Sequence, residues 1–342
     1  MSPDEVAVVD FFSGCGGTSS GFEDAGMRIS AGIDSDRDSA ATFRRNFPNA
    51  KFLEEDIRTL DSERLLEFIP DSSVTLFSGC APCQPFSRQN GHRDSKDPRR
   101  SLLSEFQRIV IDLKPHLIVV ENVPGLQAKS KEGPLFGFLD ALSDHGYESK
   151  VKVVRALELG VPQERRRLVV LASRIGSPQF PMSTHAVAGH PPATVRDAIG
   201  DLPPITAGGV DPLDGDHAAM RLSDVNRARI RATPEGGDRR NWVDSMIADC
   251  HKLHGGHSDA YGRMWWDRPA SGLTTRCLSY SNGRFGHPEQ DRAISLREAA
   301  SLQTFPRSFR FEGSLTSKGR QVGNAVPPLM ARRIAESLVE SL

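Results

Sequence analysis

The sequence predicts an α/β chain: an open, doubly wound, mostly parallel sheet with a smaller irregular domain attached. Three observations carry that expectation. Short β-rich apolar runs alternate with helical stretches through the first half of the chain, as successive βαβ units do. A glycine-rich turn follows the first apolar run and opens the first helical stretch. Beyond Arg174 the texture changes: Pro, Gly and Asp crowd Gly176 to Gly215, and clear periodicity fades until about Ser295.

Taken in order, Val6 to Phe12 reads as a strand, Thr18 to Ala25 as a helix, Ile29 to Asp34 as a strand and Asp38 to Phe47 as a helix. Asp56, followed by Ile57, closes a third strand. Val74 to Ser78, Leu117 to Glu121, Lys150 to Arg155 and Leu168 to Ser173 are further strands, with helices at Leu102 to Leu113 and Leu135 to His145. Near the end, a helix from Leu296 to Thr304 stops before Pro306. A last helix from Leu329 to Leu338 is started by Pro327 and Pro328, whose fixed φ suits a first helical turn. A chain of 342 residues suits one large domain and a smaller one. The expected boundaries are 1–175, 176–294 and a C-terminal segment 295–342.

Composition narrows the function classes. With 38% hydrophobic and 25% charged residues, the chain is globular and not disordered or fibrous. The acidic start and the lack of any run near 18 apolar residues argue against a secretion signal or a membrane span, so a cytoplasmic location is expected. Five cysteines, an odd number, speak for reduced thiols, one of which is available for chemistry. The formal net charge of −1 gives no sign of a polyanion partner. Basic residues are nevertheless clustered: Arg88, Arg93, Lys96, Arg99 and Arg100 in one loop, and Arg221, Arg227, Arg229, Arg231, Arg239 and Arg240 in another segment. Charge alone fits a solvated face and a polyanion site equally.

The turn Asp10 to Thr18 lies where a doubly wound sheet binds a nucleotide-like ligand, and glycines let its backbone turn tightly and approach that ligand. Asp34 and Asp56 close the next two strands; they suit ribose and adenine contacts, and equally plain helix caps. The turn is not GxGxxG and no P-loop occurs, so a nucleoside without pyrophosphate, such as S-adenosylmethionine, fits better than NAD or ATP. The fourth strand ends in Ser78-Gly79-Cys80-Ala81-Pro82-Cys83-Gln84. Cys80 and Cys83 have the spacing of one half of a zinc site or of a redox pair; no second pair follows, and the position before a basic loop does not suit a redox helix. A nucleophilic Cys83 beside Glu121, at the end of the next strand, is the pairing needed to attack a heteroaromatic ring while an acid protonates ring nitrogen. Gln163-Glu164-Arg165-Arg166-Arg167 fits an exposed basic turn, and equally an extended segment whose alternation lets Arg165 and Arg167 both face the cleft. Cys250, His251, His254 and His257 have ligand-like spacing, but no metal is expected. Trp265 and Trp266, beside Tyr261, read as core of the small domain.

These residues resemble the bacterial-type cytosine-C5 DNA methyltransferases. The matching runs are Asp10 to Gly17, Pro82-Cys83-Gln84, Glu121-Asn122-Val123, Gln163 to Arg167, Arg297 to Pro306 and Gln321 to Pro328, in the family's order and over nearly the whole chain. The resemblance implies a Rossmann-like, S-adenosylmethionine-dependent catalytic domain (1–175), a target-recognition domain (176–294) and a C-terminal return. It implies that Cys83 attacks C6 of a flipped cytosine, that Glu121 holds and protonates N3, and that Arg165 and Arg167 complete the catalytic set, Arg167 at the O2 edge. Phe11, Gly14, Gly16, Gly17, Asp34, Asp56, Ile57, Asn324 and Val326 would hold the cofactor. Ser87, Arg88, Gln89 and Arg99 in the loop after Cys83, with Thr274, Thr275 and Arg276, would meet double-stranded DNA, as would the Arg221 to Arg240 cluster. A monomer acting on DNA beside a restriction or other defence system follows. Asp34 stands where the family usually has glutamate, and Ala81 where a second proline is common. A tRNA-methylating branch carries a Cys-Phe-Thr tripeptide that is absent here. A regulator would add an N-terminal helix-turn-helix, and an oxidoreductase would leave Cys83 and Glu121 unexplained.

Overall fold

The computed structural model describes residues 2–70, 73–81, 102–126, 133–247 and 259–341. The chain forms two compact units: residues 1–155, 166–183 and 326–342 make the first, and residues 156–165 and 184–325 the second. The division thus departs from the boundaries at 175 and 294. Only residues 326–342 of the C-terminal segment join the first unit, while 295–325 belong to the second.

The first unit is built on seven strands: β1 (Val6–Phe11), β2 (Arg28–Ile33), β3 (Lys51–Leu53), β4 (Val74–Gly79), β5 (Leu117–Asn122), β6 (Glu148–Arg155) and β8 (Arg166–Ser173). They lie in the order β3-β2-β1-β4-β5-β8-β6. The strands from β3 to β5 run parallel, and β8 runs antiparallel to both its neighbours. Strand order reverses at β1, with β2 on one side and β4 on the other. The carboxyl ends of β1 and β4 therefore flank the crevice where such sheets take ligands. All six residues of β1 are buried, as expected of a strand covered on both faces.

On one face, α3 (Leu102–Leu113) and α4 (Pro134–Asp144) pack over a continuous apolar core that includes Phe11, Phe77, Phe106, Ile118 and Phe138. On the other, α1 (Gly17–Asp24) is met by the final helix, Pro328–Glu340. The approach is close: a Cβ added to Gly21 would lie 2.2 Å from the Pro328 carbonyl oxygen and 2.7 Å from Ala331 Cβ. The helix α2 (Arg37–Asn46) is capped by Asp36, whose side chain accepts from Ser39 N.

The second unit has little regular structure. A two-residue strand β7 (Gln163–Glu164) pairs in parallel with β9 (Ala270–Ser271). Helices α5 (Val195–Ile199), α6 (Asp224–Arg231), α7 (Leu296–Leu302) and α8 (Leu315–Asn324) are each started by a side-chain cap, from Thr194, Ser223, Ser295 and Ser314. With this numbering the final helix Pro328–Glu340 is α9. A small apolar cluster holds Ile230, Trp242, Tyr280 and Ala293. Trp242, and not Trp265 or Trp266, is the core tryptophan; the latter two are half-buried, with Arg268 and Arg284 over the Trp265 ring and Arg196 over Trp266. Much of the interior is ionic: Arg292 and Glu298, both about 1% exposed, pair at 2.7 Å, and Arg297 pairs with Asp214 at 2.6 Å. His217 bridges Ser295 Oγ and the Pro203 carbonyl, each at 2.8 Å.

Candidate active site

The glycine-rich turn of the first unit is held from both sides. Phe12 (φ 55°), Gly14 (φ 52°) and Gly16 (φ 93°) reverse the chain between β1 and α1. Ser13 N donates to the Ile33 carbonyl at 3.1 Å, Gly16 N to the Ser13 carbonyl at 2.9 Å, and Gly14 N to Asp34 Oδ2 at 2.9 Å. At Gly16 a Cβ would sit 2.4 Å from the Phe47 ring, so glycine is required for space as well as for its positive φ. At Gly14 a Cβ would meet nothing within 4 Å, which leaves the backbone open to a ligand. Asp34, at the end of β2, also accepts from Asp36 N at 2.8 Å. Burial raises its carboxyl above the usual range, partly offset by those amide hydrogen bonds.

The other expected cofactor residues differ in their surroundings. The Phe11 ring is fully buried in the apolar core, 5.2 Å from both Phe77 and Phe106. Its neighbour Phe12, half-buried at the strand end, is the aromatic residue of the turn. Both faces of β1 are covered, so alternation could not tell which phenylalanine is core. Asp56 forms a local turn, its carboxylate accepting from Arg58 N at 3.0 Å and pairing with the Arg58 guanidinium at 2.5 Å. Gly17 and Ile57 are buried, and Val326 is buried in the first unit. Asn324 is exposed at the end of α8, in the second unit.

Beneath the turn lies an acid that the sequence reading did not single out. Asp10, fully buried, accepts a hydrogen bond from Ser19 Oγ at 2.6 Å, and burial pushes its pKa up to about 7. Cys80 N donates to the Phe11 carbonyl at 3.3 Å, and its thiol lies 3.5 Å from Thr18 Oγ1. Burial, reinforced by the charges of Glu121 and Asp10, raises that thiol well above its ordinary pKa. Burial likewise pushes Cys15 and Cys277 up to about 12, so the three described cysteines are poor thiolates. Cys83 lies outside the described residues, as do Ser87, Arg88, Gln89 and Arg99 and the Cys250, His251, His254 and His257 group.

At the end of β5, Glu121 Oε1 and Arg167 Nε form an ion pair at 2.5 Å, with about 13% and 17% of the two side chains exposed. The contact is charge against charge without hydrogen-bond alignment, because Glu121 Oε1 has no such partner. Next to it, Asn122 Nδ2 donates to the Ala81 carbonyl at 3.1 Å. This tethers the exit of β4, two residues before Cys83, to the strand that carries Glu121. Arg165, unlike Arg167, belongs to the second unit. It is buried there, and its guanidinium donates to the carbonyls of Leu273 (3.1 Å) and Ala325 (3.0 Å). Arg165 N donates to the Gln163 carbonyl at 2.9 Å, and this tight turn ends the extended segment and its alternation before β8 begins.

In the second unit Thr274 is half-buried, and Thr275 and Arg276 are exposed. Of the Arg221 to Arg240 run, Arg221, Arg227, Arg231 and Arg240 are exposed, and several members pair locally. Arg229 donates to the Met246 carbonyl at 2.9 Å, Arg231 pairs with Asp291 at 3.4 Å, Arg240 pairs with Asp238 at 2.6 Å, and Arg239 is buried. Among the described residues no helix is long and apolar enough to cross a membrane.

The family model for C-5 cytosine-specific DNA methylases matches residues 6–340. The chain belongs to that family. It is a DNA cytosine-5 methyltransferase, and methylases of this kind take the methyl group from S-adenosylmethionine. This methylase is 41% identical to the Type II methylase M.HgiDII of Herpetosiphon aurantiacus, over 97% of its own chain and 94% of the relative. It is 34% identical to the Type II methyltransferase M1.HphI of Haemophilus parahaemolyticus, over 98% and 87% of the two chains. In fold it is like a prophage-encoded E. coli chain described as a DNA modification methyltransferase, with a TM-score of 0.78, 23% identity and 98% and 99% of the chains covered.

Proposed function

We propose that the carboxyl edge of β1, β4 and β5 is where this enzyme methylates a cytosine extruded from duplex DNA, with Cys83 as nucleophile. The observation that supports this most is the Glu121–Arg167 ion pair beside the tethered exit of β4. A carboxyl group and a guanidinium side by side can hold the N3 and O2 edge of one pyrimidine. In this reading the Cys83 thiolate adds to C6 and Glu121 gives a proton to N3, which makes C5 electron-rich. S-adenosylmethionine, when bound, supplies an electrophilic methyl group. Once C5 has taken that methyl group, loss of the C5 proton returns the electron pair to the ring and expels the thiolate, and N3 gives its proton back to Glu121. A base stacked in a duplex hides both faces, so it must first be extruded at a cost of a few kcal/mol.

The glycine turn fits the cofactor: Gly14 is open to a ligand, and the Asp34 carboxylate stands at the end of β2, where ribose hydroxyls are held. Phe12, Gly14, Gly16 and Asp34 form that cradle in the first unit, with Gly17, Ile57 and Val326 supporting it, and the second unit recognises the target. The Type II relatives favour a role beside a restriction nuclease, performed in the cytoplasm by a monomer on DNA. Cys83→Ser should abolish methyl transfer from labelled S-adenosylmethionine while the fold and cofactor binding persist. Duplex DNA carrying 5-fluorocytosine should trap a covalent complex, because fluorine at C5 blocks the elimination. Full activity in the variant, or trapping on RNA alone, overturns the reading.

A further inference from the structure

We propose that a groove on the second unit, between the loop after β9 and the first turn of α8, seats a phosphodiester of the DNA backbone. The proposal rests on the DNA-methylation reading and adds to it a contact on α8 that no sequence motif marks. The groove, about 350 Å³, is lined by Thr275, Arg276, Ser314, Thr316, Ser317 and Arg320. All six side chains can donate hydrogen bonds, two of them are guanidinium groups and none is acidic. That inventory suits an anion with several acceptor oxygens.

The location of usable charge points the same way. Several guanidinium groups of the second unit are taken up inside it. Arg165 is held on carbonyls, Arg263 on Asp291, Arg284 on Asp238 and Asp259, Arg292 on Glu298, and Arg297 on Asp214. Arg276, in contrast, is exposed and among the described residues pairs with no carboxylate. Arg320 leans along its helix, with Nη2 3.4 Å from Ser317 Oγ. The positive end of a ten-residue helix adds to the field of both.

The two walls are also fixed to each other. Gly323 comes so near the loop that a Cβ there would lie 2.0 Å from the Thr274 carbonyl oxygen, and the Cys277 thiol donates to the Gly319 carbonyl at 3.5 Å. Buried Arg165 ties the Leu273 carbonyl to that of Ala325 at the far end of α8. A groove with rigid walls binds without first ordering its own backbone, so more of each contact appears as affinity.

The test compares the wild type with Arg276→Gln, Arg320→Gln and the double variant, using Arg332→Gln on α9 as a control for the loss of any exposed arginine. Binding to a duplex is followed by fluorescence anisotropy from about 0.05 to about 0.3 M salt, which brackets physiological ionic strength. Release of one phosphate contact lowers the log–log salt slope by about 0.9, which is the change expected for the double variant, with smaller changes in the singles and none in the control. Affinity should fall roughly tenfold, equally for target and non-target duplexes, since phosphate contacts carry no sequence information. An unchanged slope in the double variant, or an equal loss in the control, overturns the groove while leaving DNA methylation standing. A wild type that neither binds nor methylates duplex DNA overturns both.

Discussion

Asp10 and Glu121 are acids at one sheet edge, and their surroundings give them different work. Glu121 faces Arg167 and keeps some exposure, whereas Asp10 is sealed beneath the glycine turn with Ser19 as its partner. Burial lifts Asp10 from 3.8 to about 7. Between those pH values the folded chain keeps a proton that the unfolded chain has released, so this residue makes stability fall as pH rises through the window. Asp10→Asn removes that dependence. Denaturant midpoints measured from pH 4.5 to 7, values chosen roughly within that window, should fall for the wild type by an amount worth on the order of a few kcal/mol, and be flatter for the variant. Parallel pH profiles would show that Asp10 is ionised in the fold. The same burial explains why the described cysteines are unsuited to nucleophilic attack, so the chemistry is proposed for Cys83.

At the scale of elements, helix contacts outweigh helix propensity. Replacing a mid-helix glycine by alanine favours the helix by about 1 kcal/mol where nothing stands in the way. Gly137 in α4 is such a place, exposed and with nothing within 4 Å of an added Cβ. Gly21 in α1 is the opposite, because its Cβ would strike the backbone of α9. Gly137→Ala should therefore raise the melting temperature, and Gly21→Ala should lower it at a net cost of about 2 kcal/mol. Equal effects would mean that α1 and α9 do not meet as described. The sequence made the strands β1, β4 and β5 and the motifs at their ends legible, because continuous buried apolar runs and glycine turns leave a strong local pattern. It did not reveal the direction of β8, since an apolar run reads alike both ways. Nor did it reveal α5, α6 and α8, which are short, polar and started by single side-chain caps. Arg165 and Arg167 look equivalent in the chain, and only the turn between β7 and β8 sends them into different units.

For the molecule as a whole, the two units rest on different forces and should part company in acid. The first is centred on an apolar core, and its buried Asp10 gains stability as pH falls toward 4. The second depends on ion pairs. Hydrogen bonding from Arg240, with further help from Arg284, holds Asp238 at about 2, and Arg292 keeps Glu298 below the usual range against the opposing effect of burial. A carboxylate held below its ordinary pKa contributes stability that is complete above that ordinary value and is lost as pH falls through the folded one. For Asp238 the window runs from 3.8 to about 2, and the shift is worth about 2 kcal/mol. All three tryptophans, Trp242, Trp265 and Trp266, lie in the second unit, so their emission reports that unit alone. In an acid titration, tryptophan emission should shift to the red before far-UV ellipticity collapses. Asp238→Asn, which has lost this contribution already at neutral pH, should be about 2 kcal/mol less stable there and lose less on acidification. Tryptophan emission that stays native while ellipticity disappears would place the acid-labile element in the first unit instead.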